Sequence, residues 1–379
     1  MNAPTSSPGR LLKANTAIAE QPAQDAQREG AIRVMIVDDS LTVRTIFKRM
    51  VEGDQSMDVV ATASSAERAI AQLKNLSVDV VLLDLEMPGM GGLDALPALL
   101  ETGGDAQVLV VSSLTDVGAE HTMAALSMGA ADTMLKPRPG GFTDDYRSQL
   151  LGKIRALGGQ DSDESDDDCT SVKETVAGFS SASSKRPEVI AIGASTGGIH
   201  ALNLMLRSLP PTVDLPILIT QHLPQSFMSV FARQIEMASA RRTHIACDGT
   251  EIRPGEIVIA PGHGHMMVRR IGDRLVTRIS AEPSRSGCMP SVDPMLSSLT
   301  KACNGQVLAV ILSGMGRDGL EGAKKLAENG GTILAQDADS SAVWGMPGAV
   351  TKAGLSSLVA PPEKLSEAVI SLAGAPRRK

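Results

Sequence analysis

From Ala31 the chain alternates short apolar, β-branched runs with longer amphipathic stretches: IRVMIV, DVVATA and VDVVLLDL each lead toward a segment of helical character. Strands and helices in alternation specify a parallel sheet covered on both faces. The rhythm restarts near residue 187, where EVIAIGAS, LPILITQH, QVLAVILSG and GGTILAQD each run into a Gly-rich or polar loop. Two α/β domains are therefore predicted, over residues 31–155 and 187–379, the second doubly wound and mostly parallel.

Between them the pattern breaks. Gln160 to Asp168 (QDSDESDDD) carries six acidic side chains, no basic ones and nothing apolar, and the Ser/Ala-rich FSSASSKRP follows. Like charges repel and no apolar surface offsets chain entropy, so residues 156–186 are predicted to form an extended, mobile linker. That run holds six of the seven net negative charges of the 379-residue chain. The remainder is near neutral, without the basic footprint of a nucleic-acid binder. Residues 1–30 are polar and lack the charged start and apolar core of a signal peptide, so a disordered tail is predicted. No apolar run reaches membrane-spanning length, which points to a cytoplasmic protein without direct membrane insertion. Cys169, Cys247, Cys288 and Cys303 are scattered with no CxxC pairing and read as free thiols.

In a parallel sheet, functional groups gather outside the carboxyl ends of the strands. Asp38 and Asp39 end the first run, Asp84 the third, Ser112 ends QVLVVSS and Lys136 ends ADTMLK. Singly, the aspartates could be helix caps and the lysine a solvated side chain. Together, three carboxylates call for a hard dication, and oxygen ligands suit Mg2+. If Asp84 attacks a phosphoryl donor, the metal, Lys136 and the Ser112 hydroxyl can stabilise the transferring group. Through VDDS, DLEMPGMGGLD, VVSSLT and GAADTMLKP, residues 32–151 resemble the response-regulator receiver family, which implies a flavodoxin-like fold. The resemblance implies that Asp84 is the phosphoacceptor, that Asp38, Asp39 and the Glu86 backbone carbonyl help hold Mg2+, and that Thr133 occupies the switch position.

The second domain places Ser195, His222 and Asp318 at or just beyond strand ends. In GASTGG, glycines flank the serine and permit a tight strand-to-helix turn. A serine hydroxyl needs an imidazole to take its proton and a carboxylate to fix that imidazole, roles that suit His222 and Asp318. The backbone N–H groups of Thr196, Met315 and Gly316 are candidates for holding an oxyanion. The order Ser, His, Asp argues against a lipase-type α/β-hydrolase, which runs Ser, acid, His. A Gly-rich helix start also suits an anion, but the lysine of a P-loop is missing. His200, His244, His263 and His265 compete for the base role. His200 lies too far along the helix, and His263 with His265 lack the third ligand of a catalytic zinc.

GASTGG, QHLPQSF, APGHGHM, PSVDPML, LSGMGRDG and VWGMP, read in that order after a receiver-like domain, resemble the CheB family of chemotaxis protein-glutamate methylesterases. The resemblance implies the triad Ser195, His222, Asp318 and hydrolysis of glutamate γ-methyl esters on chemoreceptors, with methanol released, and deamidation of receptor glutamines. It implies no cofactor for the ester reaction, a chemotaxis histidine kinase as phosphodonor, and a receiver that partly occludes the active site until it is phosphorylated. Two rival readings remain: a non-catalytic receiver adaptor, and an esterase for another protein or small molecule.

Overall fold

The computed structural model describes residues 30–113, 115–137, 141–159 and 186–374. The acidic run and nearly all of the expected tail lie outside the described residues. The first sheet is wholly parallel, with strands β1 (Ile32–Val37), β2 (Met57–Ala63), β3 (Val80–Asp84), β4 (Gln107–Ser112) and β5 (Asp132–Leu135) in the order β2-β1-β3-β4-β5. Helices α1 (Leu41–Glu52), α2 (Ala66–Leu73), α3 (Gly92–Gly103), α4 (Asp116–Met128) and α5 (Asp144–Leu157) connect or follow the strands. α5 thus extends two residues into the segment read as linker.

Several helix starts are written locally. The hydroxyls of Ser40, Ser65, Thr115 and Thr143 accept from backbone N–H groups in the first turns of α1, α2, α4 and α5, which satisfies donors that a helix start leaves unpaired. β3 is buried along its whole length. That is why it reads as a continuous apolar run rather than an alternating one.

The second sheet has seven parallel strands in the order β15-β14-β13-β6-β7-β10-β8. They are β6 (Val189–Ala194), β7 (Ile217–Gln221), β8 (Thr243–Ile245), β10 (Ile257–Ile259), β13 (Val307–Ile311), β14 (Thr332–Gln336) and β15 (Leu358–Ala360). Helices α6 (Gly198–Arg207), α7 (Met228–Ser239), α8 (Val292–Ala302), α9 (Leu320–Glu328), α10 (Met346–Lys352) and α11 (Pro362–Ala373) cover it. β6 lies between β7 and β13, so the strand order reverses there, and the crevice at such a reversal is where open α/β sheets bind ligands.

A small antiparallel sheet, absent from the sequence expectation, is formed by β9 (Glu251–Ile252), β11 (His265–Ile271) and β12 (Arg274–Ser280). Gly272, at φ +59, turns β11 into β12. Met266, Val268, Leu275 and Val276 share a core with Leu296 and Leu299 of α8, and the Val268 N–H donates to Ser298 Oγ at 2.9 Å. α8 is held by this flap on one side and by β6 on the other: a methyl at Gly193 would stand 2.7 Å from a methyl of Val292.

Gly92 opens α3 directly over the phosphoacceptor candidate, and a methyl there would overlap the backbone carbonyl oxygen of Asp84. Gly92→Ala should therefore destabilise the N-terminal domain by about 1–3 kcal/mol, the usual cost of overpacking. Thermal unfolding followed by calorimetry measures this, and an unchanged transition would show that the turn can yield.

Candidate active site

The N-terminal cluster assembles as its strand-end positions predict. Asp38, Asp39 and Asp84 each present a carboxylate oxygen within 4.8 Å of the others. Lys136 Nζ bridges Asp38 at 2.8 Å and Asp84 at 2.6 Å. Burial raises the pKa of Asp84 from its ordinary value, against the opposing pull of Lys136. Burial lowers that of Lys136, but its hydrogen bonds to Asp38 and Asp84 outweigh it and raise the value. Ser112 Oγ and Thr133 Oγ1 are buried, without hydrogen-bond partners among the described residues. The Glu86 carboxylate turns aside to accept from Ser113 Oγ at 2.6 Å, while its N–H donates to Asp84 Oδ1 at 3.1 Å.

In the C-terminal domain, Ser195 follows β6, His222 follows β7, and Asp318 lies in the loop between β13 and α9. His222 Nε2 and Asp318 Oδ2 are 2.8 Å apart, which leaves Nδ1 as the nitrogen free for another partner. Asp318 is almost fully buried. Its Oδ1 accepts from Ser291 Oγ at 2.7 Å and its Oδ2 also accepts from the Val292 N–H at 2.7 Å. Burial works to raise its pKa, yet these donors and the His222 imidazole hold it well below the carboxylate range. For His222 the balance runs the other way. Burial lowers its pKa, but Asp318 and the Cys288 thiol beside the ring outweigh that and raise it. Among the described residues Ser195 Oγ has no hydrogen-bond partner, so Ser195 and His222 are not hydrogen-bonded to each other in this arrangement.

The Gly314 to Gly316 turn lies against the serine: a methyl at Gly314 would be 2.8 Å from Ser195 Cβ. Gly316 adopts φ +77 and the Met315 side chain is partly exposed. Of the competing histidines, His200 sits on α6 with Nδ1 3.0 Å from the Ser127 carbonyl, and His244 pairs with Glu256 at 3.0 Å. His263 is exposed. His265 is buried, accepting at Nδ1 from the Ser291 N–H at 3.0 Å and donating from Nε2 to the Glu282 carbonyl at 2.8 Å. It thereby orients the serine that holds Asp318.

The N-terminal domain packs over this face. The Ala131 carbonyl accepts from the Gly197 N–H at 2.6 Å, and Asp132 Oδ2 accepts from Thr196 Oγ1 at 2.6 Å and from Lys153 Nζ at 2.5 Å. Asn203 Nδ2 donates to Ser127 Oγ at 2.9 Å, and Arg233 pairs with Glu120 at 3.0 Å. A narrow crevice remains, lined by Leu126, Ala130 and Asp132 on one side and by Ser195, Gln221 and His222 on the other.

With that geometry, comparison with known proteins is decisive at the level of family. Residues 190–369 match the family "CheB methylesterase", and residues 34–141 match "Response regulator receiver domain". The chain belongs to the CheB methylesterase family. A protein of Paramagnetospirillum magneticum named protein-glutamate methylesterase/protein-glutamine glutaminase 1 is 40% identical over 369 residues, covering 90% of this chain and 96% of its own. One of Caulobacter vibrioides, named protein-glutamate methylesterase/protein-glutamine glutaminase 2, is 41% identical over 345 residues, covering 90% and 99%. The CheB methylesterase catalytic domain of Thermotoga maritima is 33% identical, with a TM-score of 0.48, over 49% of this chain and 98% of its own. No helix among the described residues is long and apolar enough to cross a membrane.

Four residues at this CheB-family site carry no role in the sequence expectation: Ser291, His265, Cys288 and Asp132. Ser291 and His265 lie within PSVDPML and APGHGHM, and only the fold brings those motifs together at Asp318. Asp132 belongs to the other domain. NMR titration of the His222 imidazole should give a midpoint above the ordinary ~6.5, and Asp318→Asn should lower it, since burial then loses its main opponent. A midpoint unmoved by Asp318→Asn would show that the pair does not set the proton affinity.

Proposed function

We propose that this protein is a phosphorylation-regulated serine esterase that removes methyl groups from glutamyl γ-methyl esters of chemoreceptors and deamidates receptor glutamines. The observation that carries the reading is the hydrogen-bonded His222–Asp318 pair beside Ser195 at the strand-order reversal. His222 takes the Ser195 proton as Oγ attacks the ester carbonyl carbon. Asp318 orients the ring and stabilises the imidazolium. Backbone N–H groups of Thr196, Met315 and Gly316 are the proposed oxyanion donors, contributed by the turns on either side of Ser195. The imidazolium then protonates the departing methoxide or, in deamidation, the departing amide nitrogen, which leaves as ammonia. Water, activated by the same imidazole, cleaves the acyl-enzyme.

At the receiver, the three carboxylates form an all-oxygen donor set within 4.8 Å, which fits a hard dication. Asp38, Asp39, Asp84 and the Glu86 carbonyl are the proposed ligands. When bound, Mg2+ supplies charge neutralisation for phosphoryl transfer to Asp84. Lys136 joins it in countering charge on the incoming group, and Ser112 supplies a buried hydroxyl beside it. Thr133 is the proposed switch residue. Because Ala131 and Asp132 grip the loop that follows Ser195, phosphorylation by a chemotaxis histidine kinase opens the enzyme by releasing that grip. This reading places the protein in the cytoplasm, with residues 156–186 as the tether between a receiver of about residues 31–155 and a catalytic domain of 187–379.

Methanol release from methylated receptor should fall at least ~10³-fold in Ser195→Ala, and a rate equal to wild type would refute the nucleophile. Cleavage of a generic ester without any methanol from receptor would refute the substrate. Asp132→Ala should raise the unstimulated rate by up to about tenfold, the equivalent of one charged hydrogen bond, and Asp84→Ala should abolish stimulation by a phosphodonor. Rates unmoved by both substitutions would sink the regulatory scheme.

A further inference from the structure

Cys288 carries a thiol that the proposed ester reaction does not use. It lies in the loop before α8, where Ser284 Oγ donates to the Cys288 carbonyl at 2.9 Å and the Cys288 N–H donates to Ser286 Oγ at 3.4 Å. These bonds fix its backbone. The thiol makes a weak 3.8 Å contact to the Ser286 carbonyl and lies beside the His222 ring. One donor atom each from His222, Cys288 and Asp318 lies within 4.8 Å of the other two.

We propose that His222, Cys288 and Asp318 form an inhibitory zinc site inside the catalytic crevice. The donor set is one sulfur, one imidazole nitrogen and one carboxylate oxygen, which selects zinc over the hard cations suited to the receiver. Tetrahedral zinc needs ligand atoms roughly 3.3–3.7 Å apart, given bonds of about 2.0–2.3 Å. Closing from 4.8 Å asks for about 1 Å of side-chain movement, well within a rotation of the lightly held thiol. Asp318 already has the outer partners a metal-bound carboxylate requires, in Ser291 Oγ and the Val292 N–H. Three protein ligands leave a fourth position, open to water through the crevice.

Binding replaces the Cys288 thiol proton with the metal, releasing that proton to solvent. It also replaces the hydrogen bond between His222 and Asp318, and the Nε2 proton moves to Nδ1 of the neutral ring or, from the imidazolium, to solvent. An imidazole whose lone pair is committed to zinc cannot accept the Ser195 proton, so the esterase stops while the metal is bound. The receiver cluster is chemically distinct, being made of oxygens alone.

The test uses the full-length protein with zinc chloride for inhibition and cobalt(II) as the spectroscopic probe. Cobalt absorbance needs no substrate, so it can fail or succeed independently of the esterase reading. Wild type should gain a near-ultraviolet thiolate-to-cobalt charge-transfer band, which Cys288→Ser and Cys288→Ala should both lose. Each variant, normalised to its own zinc-free rate, should need at least about tenfold more zinc for half-inhibition. The site is overturned if wild type shows no thiolate band, if the band survives in both variants, or if the variants are inhibited at the wild-type zinc concentration. Circular dichroism identifies a misfolded variant, and the second substitution then decides.

Discussion

A carboxylate taken out of water is tolerable only when its oxygens are hydrogen-bonded, and Asp318 meets that condition with donors from separate segments. The Ser291 hydroxyl and the Val292 N–H come from the start of α8, and the imidazole comes from the end of β7. Satisfying one charge therefore fixes α8 and β7 relative to the loop after β13. His265 reaches from the start of β11 to hold Ser291, so the small antiparallel sheet is tied to the same point. Gly193 lets Val292 approach the end of β6. The geometry of the candidate site and the packing of the elements around it are in this way one problem with one solution.

The two candidate sites follow one rule of construction but differ in what surrounds them. Each lies where the strand order of a parallel sheet reverses, outside the carboxyl ends of its strands. In the receiver, the Ser112 and Lys136 side chains end β4 and β5, the strands that flank α4. Asp132, which grips Thr196, begins β5, and Lys136, which grips Asp38 and Asp84, follows its last residue. At about 3.3 Å per residue, the two contacts are roughly 13 Å apart along one short strand. β5 is therefore the one short backbone element that joins the two contacts.

Much of this was legible in the sequence. Buried parallel strands write themselves as continuous apolar runs, so β1, β3, β6, β7 and β13 stand out, and their ends bring the carboxylate cluster and the Ser195, His222 and Asp318 set into view. The strands that did not stand out are those whose pattern is short or mixed. β8, β10 and β15 have three residues each, and in β11 and β12 exposed arginines interrupt the apolar run. Ser291 and His265 were visible as motif members without a task, since nothing in local spacing says that two segments 26 residues apart meet. Cys288 read as an ordinary thiol for the same reason. The contact of Asp132 with Thr196 joins two domains, and no pattern within either one encodes it.

The hydrogen bond from the Gly197 N–H to the Ala131 carbonyl has a thermodynamic corollary. A backbone donor beside the nucleophile that is committed to the neighbouring domain is withheld from anything else at that spot. Under the proposed function, receiver and substrate compete for the same loop. Coupling of this kind is reciprocal: whatever loosens the receiver tightens substrate, and substrate seated at Ser195 must loosen the receiver by the same free energy. On that reading, occupancy of the crevice itself weakens the receiver's hold on the loop beside Ser195.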